Sequence, residues 1–491
     1  MKKLTQLIEA LDKGEINLIR RYFLLNRKPE NLLRNKLFEL LIKDKNINHS
    51  KVEEGLKRKL SGSAVRMLIN RLEDDILKSL IITQGPQKFK SKYFEAKHNC
   101  LRMILEIDIL RYRGVHTDII FKKVRQAESL SKKYELAGEM ILINEIKQQV
   151  VVLSKGLSNY KKTIAENLES LNDVKLKTDA LDFFRKLTVP TLFSANKESN
   201  YTDLAKESTE QLRILSQKNP SSQIRALYLR SEVFYNHLIN DYNSAEKFAF
   251  EFLDFVTSNR VLNASDNMGG GMMMISTISV YLHNYDNAIK FAIEAMPYFH
   301  AGSNNQVNLS ELLFFCYLRK EDFNQTLELV DKISLLKTVK KNQFLKSKWQ
   351  YFKANLFFQQ GHYNEALSIL QKQSDLLSDK SGWRLGFKIM EMMCIIEMDT
   401  CDWLDYRIET FRKLLSTVKN ENIHRPKLIL HIIKQFIKHA YDIKLTNKKC
   451  EEQLNLLRMG EGDYRYDPRG YEVIRFDKWW DAKLSKKLQR N

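Results

Sequence analysis

Residues 351–367 read Tyr351-Phe352-Lys353-Ala354-Asn355-Leu356-Phe357-Phe358-Gln359-Gln360-Gly361-His362-Tyr363-Asn364-Glu365-Ala366-Leu367. They form the clearest unit of a region, from about 88 to 445, in which helical stretches alternate with very short breaks. Tyr363 is one rung of a ladder. Tyr160, Tyr201, Tyr242, Tyr285, Phe323, Tyr363 and Trp403 follow one another at intervals of 41, 41, 43, 38, 40 and 40 residues. His116 reads as a degenerate earlier rung. Three rungs carry an alanine three residues on (Ala245, Ala288 and Ala366), and Phe323 has the small Thr326 there. A period of this length means that no unit buries its own apolar face, so each must stack on the next.

The composition agrees with stacked helices. The chain has 491 residues, and 43% are hydrophobic, yet it contains only 17 Gly and 7 Pro. Sheets and long loops need more of that punctuation. A length prior of about 150 residues per domain gives about three domains, but a repeat array lengthens without enlarging one core.

The unit at 351–367 resembles the tetratricopeptide repeat. Ala354 stands where that family places a small residue in its first helix, and Phe357 where it places an aromatic. Gly361 falls in the turn, Tyr363 at the start of the second helix, and Ala366 at the close contact. Residues 281–295 match the turn and second helix equally well. Tyr242-Asn243-Ser244-Ala245 and Phe323-Asn324-Gln325-Thr326 match more loosely. The units are longer than the family's, the closing proline is mostly absent, and the first-helix tryptophan and glycine are largely lost. The resemblance is strongest between Gln223 and Leu415, and the chain resembles uncharacterised bacterial proteins of this type. It implies an all-α fold, a right-handed solenoid of stacked antiparallel helix pairs with a concave inner face.

Three segments are expected. Residues 1–84 read as a basic helical N-terminal module, the most basic part of the chain per residue, with Gly85-Pro86 as its boundary. Ser61 or Ser63 is placed to cap its last helix. Residues 88–445 are the repeat region. Residues 446–491 hold the end of the last helix and an aromatic, basic tail that includes Tyr464, Tyr466, Tyr471, Phe476, Trp479 and Trp480. Leaving so many large apolar groups in water forfeits a few kcal/mol, so the tail is expected to dock and cap the end of the stack.

The residues offer little chemistry. His424, His431 and His439 lie seven and eight apart on or beside one helix, too far along it for one ion to bridge, and no His-Glu-x-x-His occurs. The glycine cluster Gly269-Gly270-Gly271, followed by Met272-Met273-Met274, lacks the strand and Gly-Lys-Ser/Thr of a phosphate cradle. It reads better as a helix start with methionines filling an irregular gap. Five scattered cysteines include no close pair, and four lie in apolar helical stretches as reduced core thiols. No catalytic residue, cofactor or metal is expected. No run of about 18 apolar residues is present, so membrane insertion is not expected and the location is read as cytoplasmic.

The formal net charge is +20. Such a surplus attracts polyanions, although Lys-, Asn- and Ile-rich composition accounts for it equally well. The resemblance places Arg230, His237, Thr277, Arg319, Lys348, Asn355 and Lys388 on the inner surface, facing a protein or peptide partner of acidic character. Asn355 falls where the family holds a ligand backbone, but Tyr351 replaces the lysine of its carboxylate clamp and Met392 the next asparagine. The expected function is a non-catalytic scaffold or adaptor. The alternative is a nucleic-acid-associated regulator contacting its ligand through Arg66, Arg71 and Lys78. A structural subunit that self-associates is a third. Oligomeric state is not legible.

Overall fold

The computed structural model describes residues 2–9, 11–25, 29–44, 49–56, 61–82, 91–193, 201–373, 382–400, 403–417 and 423–489. Among them the chain is helical throughout and contains no strand. It divides into two compact units, 1–154 and 155–491. The boundary expected at Gly85-Pro86 lies outside the described residues.

The first unit contains α1 (Lys2–Glu9), α2 (Lys13–Leu25), α3 (Pro29–Lys43), α4 (His49–Leu56), α5 (Gly62–Ile82), α6 (Lys92–Tyr112), α7 (Thr117–Lys133) and the beginning of α8 (Ala137–Phe193). α2 opens with a reciprocal cap: the Asp12 and Glu15 backbone amides each donate to the other's carboxylate, both at 2.8 Å. Ser61, not Ser63, caps α5 by accepting from the Ala64 amide. Leu4, Ile19, Phe23, Leu37, Phe38, Val52, Leu72 and Ile76 make one core under α1 to α5. Arg34 and Asp75 pair at 2.9 Å beside it, where burial raises the Asp75 pKa. α8 is interrupted at Gly156, whose φ of 73° and ψ of 179° suit glycine alone.

The second unit is a succession of helix pairs. After the remainder of α8 come α9 (Tyr201–Lys218), α10 (Ser222–Leu238), α11 (Tyr242–Ser258), α12 (Ser265–Tyr281), α13 (Tyr285–Ala295), α14 (Asn304–Arg319) and α15 (Phe323–Ser334). The short α16 (Lys337–Lys341) leads to α17 (Gln343–Gln359), α18 (Tyr363–Gln373), α19 (Trp383–Glu397), α20 (Leu404–Thr417), α21 (His424–Lys438), α22 (Ile443–Lys449), α23 (Glu451–Met459) and α24 (Phe476–Gln489). From α9 to α21 each long helix packs on the one before it, and α12, α14, α17, α19 and α21 also touch across their intervening partners. Sequential antiparallel packing of this kind is what a solenoid requires.

The ladder marks one place in every pair. Tyr201, Tyr242, Tyr285, Phe323 and Tyr363 are the first residues of α9, α11, α13, α15 and α18, and Trp403 immediately precedes α20. Tyr160 is the exception, lying in the first turn after the Gly156 break. The residue before a rung caps the new helix: Asp241, Asn284 and Asp322 accept from the Ser244, Asn287 and Gln325 amides. One residue earlier the backbone is left-handed, at Asn240 (φ 70°), His283 (φ 58°), Glu321 (φ 58°) and Gly361 (φ 82°). The amides of Asp241, Asn284, Asp322 and His362 reach back to carbonyls five residues earlier, closing each helix with a Schellman turn. The rung ring then covers the end of the helix just finished, as Tyr242 does on His237 and Tyr363 on Phe358. Ala245, Ala288, Thr326 and Ala366 are fully buried one turn on, where only a small side chain admits the neighbouring helix.

The glycine cluster lies inside α12 rather than at its start. A Cβ on Gly269 would sit 2.7 Å from Tyr298, so close packing explains that glycine. Cys100, Cys316, Cys394 and Cys450 are buried free thiols, and burial pushes Cys316 up to about 12.

Candidate partner-binding face

The final residues of the chain return along the second unit. α24 anchors this return. Its Phe476 and Trp480 are fully buried, Trp480 lies 5.6 Å from the Phe436 ring on α21, and the Trp479 indole donates to Glu397 at 2.6 Å. Beneath them Arg425 of α21 is almost completely enclosed and pairs with both Glu472 and Asp477. Burial alone would lower the Arg425 pKa, but the two carboxylates reverse that and raise it. Arg475 meets Asp477 at 2.8 Å, and the Glu472 carboxylate also accepts from the Phe476 amide at 2.7 Å.

Ahead of this anchor, residues 465–471 cross successive helices. The Arg465 guanidinium donates to the Tyr242 hydroxyl at the start of α11. Tyr281, the last residue of α12, donates to Asp467 at 3.0 Å. Arg319, the last residue of α14, donates to the Tyr466 hydroxyl at 3.0 Å and to the Pro468 carbonyl. Tyr351 of α17 donates to the Tyr471 carbonyl at 2.7 Å. On α19, Gly386 lets that same peptide approach: a Cβ there would collide with the Tyr471 carbonyl and lie 2.7 Å from the Tyr351 hydroxyl. Burial raises the pKa of Tyr281, Tyr351, Tyr466 and Tyr471, so these phenols remain protonated and Tyr281 and Tyr351 keep their donor role.

The residues singled out by sequence have different surroundings. Arg319 is taken up by the tail, as above. His237 packs its ring 4.7 Å from Tyr281, and Thr277 donates to the Met273 carbonyl at 2.8 Å. Lys348 pairs with Glu311 at 2.8 Å while lying 4.3 Å from the Trp383 ring centre. Lys388 pairs with Glu391 at 2.9 Å, and both glutamates are buried. Asn355 is fully buried; its amide donates to the Tyr351 carbonyl at 2.8 Å, and its Oδ1 finds no partner among the described residues. Arg230 stacks on the Phe184 ring at 4.7 Å. In the other unit Arg66, Arg71 and Lys78 are exposed on α5.

Tyr242, Tyr281, Tyr351, Gly386 and Arg425 were not picked out from the sequence as tail contacts. Lys388 and Glu391, three residues apart on one helix, were a readable signal of pairing. Lys348 and Glu311, 37 residues apart, were another, being nearly one repeat apart. Among the described residues no cluster of His, Cys, Asp and Glu is placed to hold a metal, and no helix is long and apolar enough to cross a membrane. The sequence matches no protein-family profile and no curated protein.

Proposed function

We propose that this chain is a non-catalytic protein- or peptide-binding scaffold, a tetratricopeptide-like right-handed solenoid that recognises an extended segment along its inner face. The supporting observation is the grip on residues 465–471. Arg319 and Tyr351, on adjacent helix pairs, each hold a backbone carbonyl, an interaction that does not depend on the side chains of the bound segment. The tail is then a ligand supplied in cis, and a partner segment of similar chemistry takes its path when the tail leaves. The Tyr281 hydroxyl, which holds the Asp467 carboxylate, marks where an acidic group of the partner segment would be received.

The test uses the full chain and a labelled synthetic peptide of residues 463–473. Trp479→Ala weakens the α24 anchor and leaves the path of residues 465–471 unaltered, so it should free the tail and allow the peptide to bind, whereas the unaltered chain should bind it weakly or not at all. Failure of the peptide to bind a Trp479→Ala chain that trypsin now cuts at Arg465 and Arg469 would contradict the reading. The exposed cations of α5 favour a second reading, nucleic-acid contact through Arg66, Arg71 and Lys78. That reading requires binding that weakens steeply with salt and is lost in the triple glutamine variant.

A further inference from the structure

Between α8, α10, α11 and the start of α12 lies a cavity of ≈ 170 Å³. A dry protein cavity of about 150 Å³ takes up benzene, so there is room for one small ring. Leu181, Leu227 and Phe252 supply apolar wall, and Lys177, Gln223 and Asn267 supply polar rim. Arg230 also lines it, with its guanidinium on the face of Phe184. Among the described residues Arg230 makes no hydrogen bond or ion pair, and burial, the single cause acting on it, lowers its pKa.

Its partly buried guanidinium retains five donors and a full charge, and no carboxylate among the described residues meets them. Elsewhere this chain pairs such cations: buried Arg425 has two carboxylates and Lys388 has Glu391. A partly buried cation on the wall of an apolar cavity, with no counter-charge among the described residues, is the arrangement of a site that receives its anion from outside. The planar fork matches a carboxylate, and the walls match an apolar body attached to it.

We infer that this cavity is a binding site for a small carboxylic acid with an apolar body, such as an aryl acid, held through Arg230. The inference does not rest on the scaffold reading, because the tail contacts α11 to α21 whether or not the cavity is filled.

The test is titration of the full chain with benzoate, read by saturation-transfer NMR and by the shift in melting temperature, alongside neutral benzamide and inorganic phosphate. Benzoate should bind saturably and raise the melting temperature, while benzamide and phosphate should do neither at equal concentration. Arg230→Gln should weaken benzoate binding at least about tenfold, the expected minimum for loss of one partner of an enclosed charge pair. Arg412→Gln, an exposed change on α20, should leave it intact and so controls for general anion attraction by the net charge. Equal binding of benzamide, equal binding by the Arg230→Gln chain, or equal weakening by Arg412→Gln would each overturn the inference. If Arg230→Gln does not fold, the benzoate–benzamide difference in the unaltered chain decides.

Discussion

Arg230, partly buried on α10, and Arg425, fully buried on α21, are treated by the chain in opposite ways. Arg425 lies at the C-terminal end, answered by Glu472 and Asp477 of the returning tail, and its charge is reinforced. Arg230 lies near the beginning of the stack, stacked on an aromatic face with no counter-charge among the described residues, and burial lowers its pKa. One end of the repeat array supplies its own counter-charge, and the other leaves it to be supplied. The tail is therefore structural where it meets α21 and ligand-like where it crosses α14 and α17.

The largest expected effect follows at the answered end. Arg425→Met leaves buried Glu472 without its cation and Asp477 with Arg475 alone, and should cost about 3–5 kcal/mol in denaturant unfolding, because the charge left behind stays buried without its partner. Simultaneous Glu472→Gln and Asp477→Asn should recover part of that loss; a loss of under about 1 kcal/mol for the single change would remove the contrast with Arg230.

Next comes Gly386→Ala. Its Cβ must displace the Tyr471 peptide, so about 1–3 kcal/mol should be lost and trypsin should cut at Arg465 and Arg469 much faster. Unchanged cleavage with unchanged stability would place the tail elsewhere. Tyr351→Phe removes the donor to Tyr471 and should cost about 1–2 kcal/mol, with a smaller rise in cleavage.

Arg230→Met sharpens the comparison from the other side. Removing a partly buried charge that has no counter-charge among the described residues should leave stability within about 1 kcal/mol of the original, or raise it. A loss comparable to Arg425→Met would mean that Arg230 has a counter-charge of its own. The smallest effect concerns the turns. Glu321→Gly relieves a left-handed residue and should stabilise the chain by about 0.5–1 kcal/mol in the same unfolding measurement.

The repeat was legible because its signal is local. Each rung, its cap and its small residue one turn on lie within a few positions, so the period survives while the rest of the unit drifts. Tyr160 misled because α8 continues through it after Gly156, with no turn for the ring to cover. The path of the tail had no such signal. Tyr351 meets Tyr471 across 120 residues and Arg465 meets Tyr242 across 223, distances at which composition can say only that the aromatics must be buried somewhere. The cations expected on an inner face were legible only as positions on a helix. Their partners were less so, since Glu311 and Glu391 become relevant only when repeats stack in register.

The account turns most directly on where residue 471 lies in solution. Replacing Tyr471 with p-benzoylphenylalanine, irradiating the full chain and sequencing the cross-linked peptides reads this out. The predicted products join position 471 to α17 near Tyr351 and to α19 near Gly386. Cross-links confined to α21 to α23, or formed between separate molecules, would contradict the claim that the inner face holds its own C-terminal segment.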